Sequence, residues 1–154
     1  GVIAGRAEVM DVMNPLADKV LFPHSGTFSA NPVTLTAGMA AMELFDEVAV
    51  KRINALANRL VTGLESAIEK TGIKACVTGG GSMFRVHFKE HSPRNYRETY
   101  ATAEENRMVN LQLDHMFASG FLMINTCAGV LSTPMAETEI DAFVAAMEAG
   151  FRKL

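Results

Sequence analysis

Tryptophan is absent from the 154 residues, cysteine occurs twice, and neither sign of charge dominates. Lys and Arg number 14 against 17 Asp and Glu, a formal net charge of −3. A chain so balanced carries no basic field, which excludes nucleic acid as a partner. No apolar run approaches the roughly 20 residues of a membrane helix. The longest, 118–124, is interrupted by Ser119 and Gly120, so no membrane partner is expected. Cys76 and Cys127 stand far apart with no redox or metal spacing. That fits reduced, buried thiols of a cytoplasmic protein better than a disulfide. The opening residues do not show the charged and apolar regions of a secretory signal.

What is present is an ordinary globular balance, 49% hydrophobic and 20% charged, in a length suited to one domain or a piece of one. The chain opens GVIAGRAEVMDVM, with no initiator Met and no polar lead-in. Val2-Ile3-Ala4 reads as the end of a buried strand already under way. The expectation is therefore a fragment that starts inside a core, because termini usually lie at surfaces.

Along the chain, residues 7–13 suit a short helix ended by Asn14-Pro15, since the residue before proline avoids the α region. Residues 19–23 read as extended. Asn31 is a good N-cap with Pro32 at the first helical position, opening a helix to about Phe45 that is rich in small residues. Asp46-Glu47 marks a bend. Ile53, Ala57, Leu60, Val61, Leu64 and Ile68 then follow helical spacing to a stop at Gly72. Residues 74–78 and 82–88 read as strands joined by Gly79-Gly80-Gly81, and 89–100 as a loop. A helix over 104–119 carries the stripe Val109, Leu113, Met116 and Phe117, and residues 121–124 read as a strand. The helix over 137–153 presents Ile140, Phe143, Val144, Met147 and Phe151, with acids in its first turn and bases in its last. The domain boundary is expected within the long helix, giving 1–50 and a compact β-β-α-β-α unit over 51–154.

Most candidate sites reduce to structure. The Gly-Gly-Gly-Ser run at 79–82 is followed by no Gly-Lys-Ser/Thr, and Phe84 stands where GxGxxG needs glycine. His87 and His91 straddle a strand end and a loop without a third ligand, so no metal site is expected. His115 reads as a packed residue. Cys127 has no local His or Asp to activate it. The stretch HSGTFSANPVTLTAG, residues 24–38, is different. Gly26 lets a ligand approach the backbone, and Thr27 supplies an amide and a hydroxyl, a pair suited to a phosphate ester. A plain turn into the helix is the other reading, and spacing alone does not separate the two.

Residues 24–38 resemble the G-T-x-x-x-N-P-…-A-G segment of class III aminotransferases, with glutamate-1-semialdehyde aminomutase-like members nearest in pattern. Residues 2–10 are similar to that family's G-A-x-G-G-R-x-x-I-M strand and turn. Residues 79–88 resemble its G-x-G-S-M-F-x-x-x-F segment, and 131–141 its L-S-x-x-x-T-E-x-D-I-D segment. The resemblance implies an α/β fold, the C-terminal part of a fold-type-I transferase that uses pyridoxal 5'-phosphate. Residues 1–50 would then end the large cofactor-binding domain with its dimer-interface and linking helix. Residues 51–154 would form the small α+β C-terminal domain.

The resemblance also implies an activity: transfer of an amino group between an amino acid or amine and a keto or aldehyde acceptor. In a homodimer, Gly26 and Thr27 would reach the phosphate of the partner subunit's cofactor. No catalytic residue is carried over, because Lys19, Lys51, Lys70, Lys74, Lys89 and Lys153 match none of the family's Schiff-base positions. The chain alone is then expected to be inactive. Departures from the aminomutase pattern bear on substrate. Phe28 replaces Leu, Ala30 replaces Gly between Ser29 and Asn31, and residues 125–130 replace the A-P-S-Q-F-E loop. Ala136 replaces the usual threonine cap of the last helix, a loss of ~1 kcal/mol. The carboxylate-binding arginine of the ornithine branches is absent near Leu131-Ser132-Thr133, leaving Arg85 and Arg97 as local candidates. The aminomutase proper, of tetrapyrrole biosynthesis, and a non-catalytic dimerising module are the alternatives.

Overall fold

The computed structural model describes residues 2–154. The chain divides into two compact units, Gly1–Asp46 and Glu47–Leu154.

The first unit holds α1 (Ala7–Met10), a 3-10 turn over Asp11–Met13, and α2 (Pro32–Leu44). Residues 2–4, expected as strand, have no regular structure and are exposed, Val2 at 91% and Ile3 at 65%. No strand forms at 19–23 either. An extended segment holds as a strand only with a neighbour to bond, and the described residues of this unit form no strand that could serve as one. The start of α2 follows local chemistry. Asn31 Oδ1 accepts from the Val33 amide at 2.9 Å, and Pro32 occupies the first turn, where no N–H is needed. Apolar residues lie on every side of α2, yet no described residue of 2–46 is buried within the chain. Helices apolar all round normally lie inside a larger structure.

The second unit contains α3 (Glu47–Thr71), β1 (Cys76–Gly80), β2 (Met83–His87), a 3-10 turn over Arg97–Thr99, α4 (Ala103–Ala118), β3 (Ala128–Val130) and α5 (Glu137–Phe151). Ile53, Leu56, Ala57, Leu60, Leu64 and Ala67 form the buried stripe of α3 at helical spacing. Gly72 closes the helix at φ +69, its amide donating to Ile68 O at 2.9 Å. The sheet is antiparallel, ordered β1-β2-β3, and packs on α3. Against the sheet and α3 lie α4 and α5, with Leu60, Leu64, Met116 and Met147 wholly buried between them. Phe143 joins the layers, its ring meeting Phe84 edge-on at 5.5 Å and Phe121 at 5.4 Å.

Three expectations require correction here. The hairpin connection is Gly81-Ser82, with Gly81 at φ +57, while Gly79 and Gly80 belong to β1 opposite Phe84 and Met83. The third strand is 128–130, not 121–124. Residues 120 and 121 are consumed in ending α4: Gly120 takes φ +87, and the Phe121 amide donates to Met116 O at 2.9 Å. This Schellman closure turns the chain before a strand can start. Finally, Phe117 is 72% exposed, and Gln112 takes its place in the stripe at 0%. Gln112 Nε2 donates to Met147 O at 3.4 Å, its Oε1 has no partner among the described residues, and its amide lies flat against Gly150.

Helix caps locate α4 and α5. Thr102 and Glu105 form a reciprocal capping box, the Glu105 amide donating to Thr102 Oγ1 at 3.2 Å and the Thr102 amide to Glu105 Oε2 at 2.7 Å. At α5, Ala136 has no oxygen to offer, but its amide donates to Glu139 Oε2 at 2.8 Å, so half of the box survives. Burial would raise the Glu105 carboxyl, but its bonds to Lys89 and Thr102 outweigh that and hold it below the usual range.

Adjacent glycines give a test. A Cβ on Gly79 would strike the Met83 carbonyl oxygen and approach Phe84 Cα at 3.0 Å, whereas one on Gly80 meets nothing. Gly79→Ala should destabilise by about 2 kcal/mol or more, as overpacking against backbone does. Gly80→Ala should stay within about 1 kcal/mol of the parent. Urea unfolding midpoints measure both.

Candidate functional site

Residues 24–35 bring the first unit's polar groups to the entrance of α2. The Ser29 amide donates to Gly26 O at 2.9 Å, closing a turn over Gly26-Thr27-Phe28. Ala30 then takes φ 54, which delivers Asn31 to its capping position. An L-residue there carries about 1–2 kcal/mol of strain, and this is the position where the aminomutase pattern has glycine. A Cβ on Gly26 would come within 3.1 Å of Ser29 Oγ, so glycine at that position keeps the turn tight and its face open. Gly26 and Thr27 are both exposed, and no described residue accepts a hydrogen bond from the Thr27 amide or hydroxyl. The turn borders a cleft of about 560 Å³ whose other walls include Ile3, Met10, Met13, Phe28 and Leu35. His24 lines the same cleft, and its Nε2 lies 3.4 Å from Ser29 Oγ. The structure thus brings Gly26 and Thr27 together with His24 and Ser29. Reasoning from sequence did not single out His24 as a site residue, and only its place two positions before Gly26 hinted at it.

In the second unit the remaining candidates fall to structural roles. His87 is buried in β2 and shares a 2.8 Å hydrogen bond between its Nε2 and Thr78 Oγ1. Burial, and then the charges of Arg85 and Lys89, push its imidazole below the ordinary range. His91 lies exposed in the following loop, and no metal-binding group of three ligands forms among the described residues. His115 Nε2 donates to Ala146 O at 3.1 Å, leaving Nδ1 to accept from Lys153 Nζ at 3.1 Å, a clasp between α4 and the end of α5. Cys127 is wholly buried, and burial raises its thiol to about 12. Its φ of +57 forms part of the three-residue turn 125–127 that precedes β3.

Arg85 stands half-buried in β2, its Nε donating to Thr126 O at 3.1 Å. Arg97 is exposed on a 3-10 turn and has no ion pair among the described residues. The loop carrying it is fixed at its far end by half-buried Lys89, whose Nζ donates to Tyr100 O at 2.9 Å and to Glu105 at 2.8 Å.

Two outcomes follow from these environments. Without denaturant, Ellman's reagent should modify Cys76 and leave Cys127 untouched, and both should react after unfolding. His87 favours its neutral form when folded, so the unfolded chain binds the extra proton first as pH falls below about 6.5. Stability should therefore drop as pH is lowered from 7 through that range, and His87→Gln should flatten the dependence. Unfolding midpoints across pH measure it.

The family profile for aminotransferase class-III matches residues 1–126. Among curated proteins the chain is 32% identical over 123 residues to glutamate-1-semialdehyde 2,1-aminomutase of Tropheryma whipplei, covering 80% of this chain and 25% of that protein. To an uncharacterised aminotransferase of Schizosaccharomyces pombe it is 35% identical over 145 residues, 93% of this chain and 32% of the other. Of solved structures, an omega-transaminase from Sphaerobacter thermophilus superposes with a TM-score of 0.82 at 35% identity, covering 96% of this chain and 34% of that one. A transaminase solved with PLP bound superposes at 0.74 with 29% identity, covering 97% of this chain and 34% of its own. The chain thus spans about a third of the length of these relatives or less. Its mixed helix and sheet follow the architecture of PLP-dependent transaminases, and the chain belongs to the class III aminotransferase family.

Proposed function

We propose that this chain is the C-terminal part of an enzyme that uses pyridoxal 5'-phosphate to move an amino group between an amino acid or amine and a keto or aldehyde acceptor. Its contribution is binding. The Gly26-Thr27 turn would receive the phosphate of a cofactor held mainly by a second copy of the protein. The observation that carries this reading is the family match combined with an open Thr27, whose amide and hydroxyl are unpaired among the described residues.

The residues present fit a phosphate. Gly26 leaves the face of the turn clear, Thr27 offers two donors, and no carboxylate lines the cleft. When bound, the cofactor supplies the electron-withdrawing ring that lets an amino-bearing carbon give up a proton. Every lysine of this chain falls outside the family's Schiff-base position, so the proton-moving base is assigned elsewhere in the protein. The dimer is supported by α2, apolar on all sides and without a buried residue in the chain by itself. A second copy across a two-fold axis would cover it and bring each turn to the other's cofactor. The small α+β unit over 51–154 would carry the substrate-side groups, with Arg85 and Arg97 the candidates for a carboxylate. Aminomutase relatives such as that of Tropheryma whipplei favour a second reading, isomerisation of an amino aldehyde. Product analysis separates the two, because a transaminase releases a keto product from its donor and a mutase does not.

Thr27→Ala in the intact protein should weaken pyridoxal phosphate binding about tenfold, the loss of the hydroxyl's charge-assisted hydrogen bond while the backbone amide is kept. Affinity for unphosphorylated pyridoxal should stay unchanged. Fluorescence titration measures both, and equal affinities of Thr27→Ala and parent for the phosphorylated form would overturn the assignment.

A further inference from the structure

The cleft beside the Gly26-Thr27 turn holds one ionisable side chain among the residues lining it, His24. Its other polar groups, on Thr27, Ser29 and Thr34, are neutral. An anion seated against Thr27 would otherwise meet only the few hydroxyl and amide donors of the turn and apolar surface, and each further donor adds a charge-assisted hydrogen bond to the phosphate. The unit's other charged residues stand apart from this cleft. Arg6 and Glu8 pair with each other at 3.3 Å, and Asp11, Asp18, Lys19, Glu43 and Asp46 do not line it.

Geometry ties the imidazole to the turn. Nε2 of His24 is 3.4 Å from Ser29 Oγ, and Ser29 is the residue whose amide closes the turn onto Gly26 O. The same hydroxyl lies 3.1 Å from where a Cβ on Gly26 would stand, so glycine there is what leaves it room. One serine therefore closes the turn and holds the ring, while Nδ1 of that ring has no partner among the described residues. We infer that His24 is a further recognition residue for the phosphomonoester, a third donor beside the two of Thr27, with Ser29 as the residue that orients it. This rests on the reading above that the turn receives a phosphate. It adds that recognition reaches beyond the Gly-Thr pair, to a side chain two positions upstream.

The test uses the intact protein and the ratio of its affinities for pyridoxal phosphate and pyridoxal, which isolates the phosphate's contribution from that of the ring. His24→Ala should lower this ratio about tenfold, the value of one charge-assisted hydrogen bond. His24→Asn keeps a donor and should recover part of the loss. Ser29→Ala should lower the ratio by a smaller factor. The 31P resonance of bound cofactor should shift in His24→Ala and stay put in Asp18→Ala, a change outside the cleft. His24 is exposed, so its variants should melt like the parent. If Thr27→Ala lowers the ratio while both His24 variants leave it and the 31P resonance unmoved, the assignment of His24 is overturned and the turn's role stands. If Thr27→Ala also leaves the ratio unchanged, the phosphate reading fails and takes this inference with it.

Discussion

The seam between α3 and α5 is the contact on which the rest of residues 47–154 depends. Gly63 lets the two helices approach so closely that a methyl there would lie 2.9 Å from Val144 Cγ2. Leu60 and Leu64 of α3 and Ile140 and Met147 of α5 belong to the same buried cluster. At its solvent edge Arg59 grips Asp141 with two 2.7 Å hydrogen bonds and reaches Glu137 at 3.1 Å. Such an exposed fork fixes register more than it adds stability. The sheet packs on α3, and α4 packs on α5, so both layers inherit their placement from the seam. Arg52 extends the same logic, donating to Thr133 O and Met135 O at 2.5 and 2.6 Å and thereby holding the segment that leads into α5.

The two units obey opposite constraints. Residues 47–154 bury a continuous core of their own, from Leu56 to Phe151. Residues 2–46 bury nothing in this chain, although Phe22, Phe28, Leu35, Met39 and Met42 would reward it. What organises this unit is local: an Asn cap, a proline at the first helical turn, a strained Ala30 and a serine closing a two-residue reach. A loop held by backbone bonds at the mouth of a helix is well suited to meet an anion, because its donors need no rearrangement to point outward.

Much of this was legible in the sequence because it is written in short-range chemistry. Asn31-Pro32, Gly72 and the 3.6-residue stripe of α3 each act within a turn or two of the chain, so periodicity and capping rules found them. Errors arose where distant contacts decide. Whether residues 121–124 or 128–130 form the third strand depends on how α4 ends and which segment reaches β2, and both are apolar. Gly79 and Gly80 differ only in their approach to Met83, which no local rule reveals. Gln112 displaced Phe117 from the core because Gly150 leaves room for an amide at that crossing. The site shows the same division. Gly26 and Thr27 stood out from their residue types, with the family resemblance choosing a phosphate over a plain turn, whereas His24 gained meaning only once the fold placed it beside Ser29.

The central claim is that the Gly26-Thr27 turn binds the phosphate of a cofactor seated chiefly in another copy of the protein. A crystal structure of the intact protein with pyridoxal phosphate tests it most directly. The account predicts a two-fold dimer in which the Thr27 amide and hydroxyl each lie about 3 Å from a phosphate oxygen of the neighbouring subunit's cofactor, with α2 buried at the interface. A phosphate bound wholly by the subunit that holds its ring, with Thr27 still facing water, would contradict it.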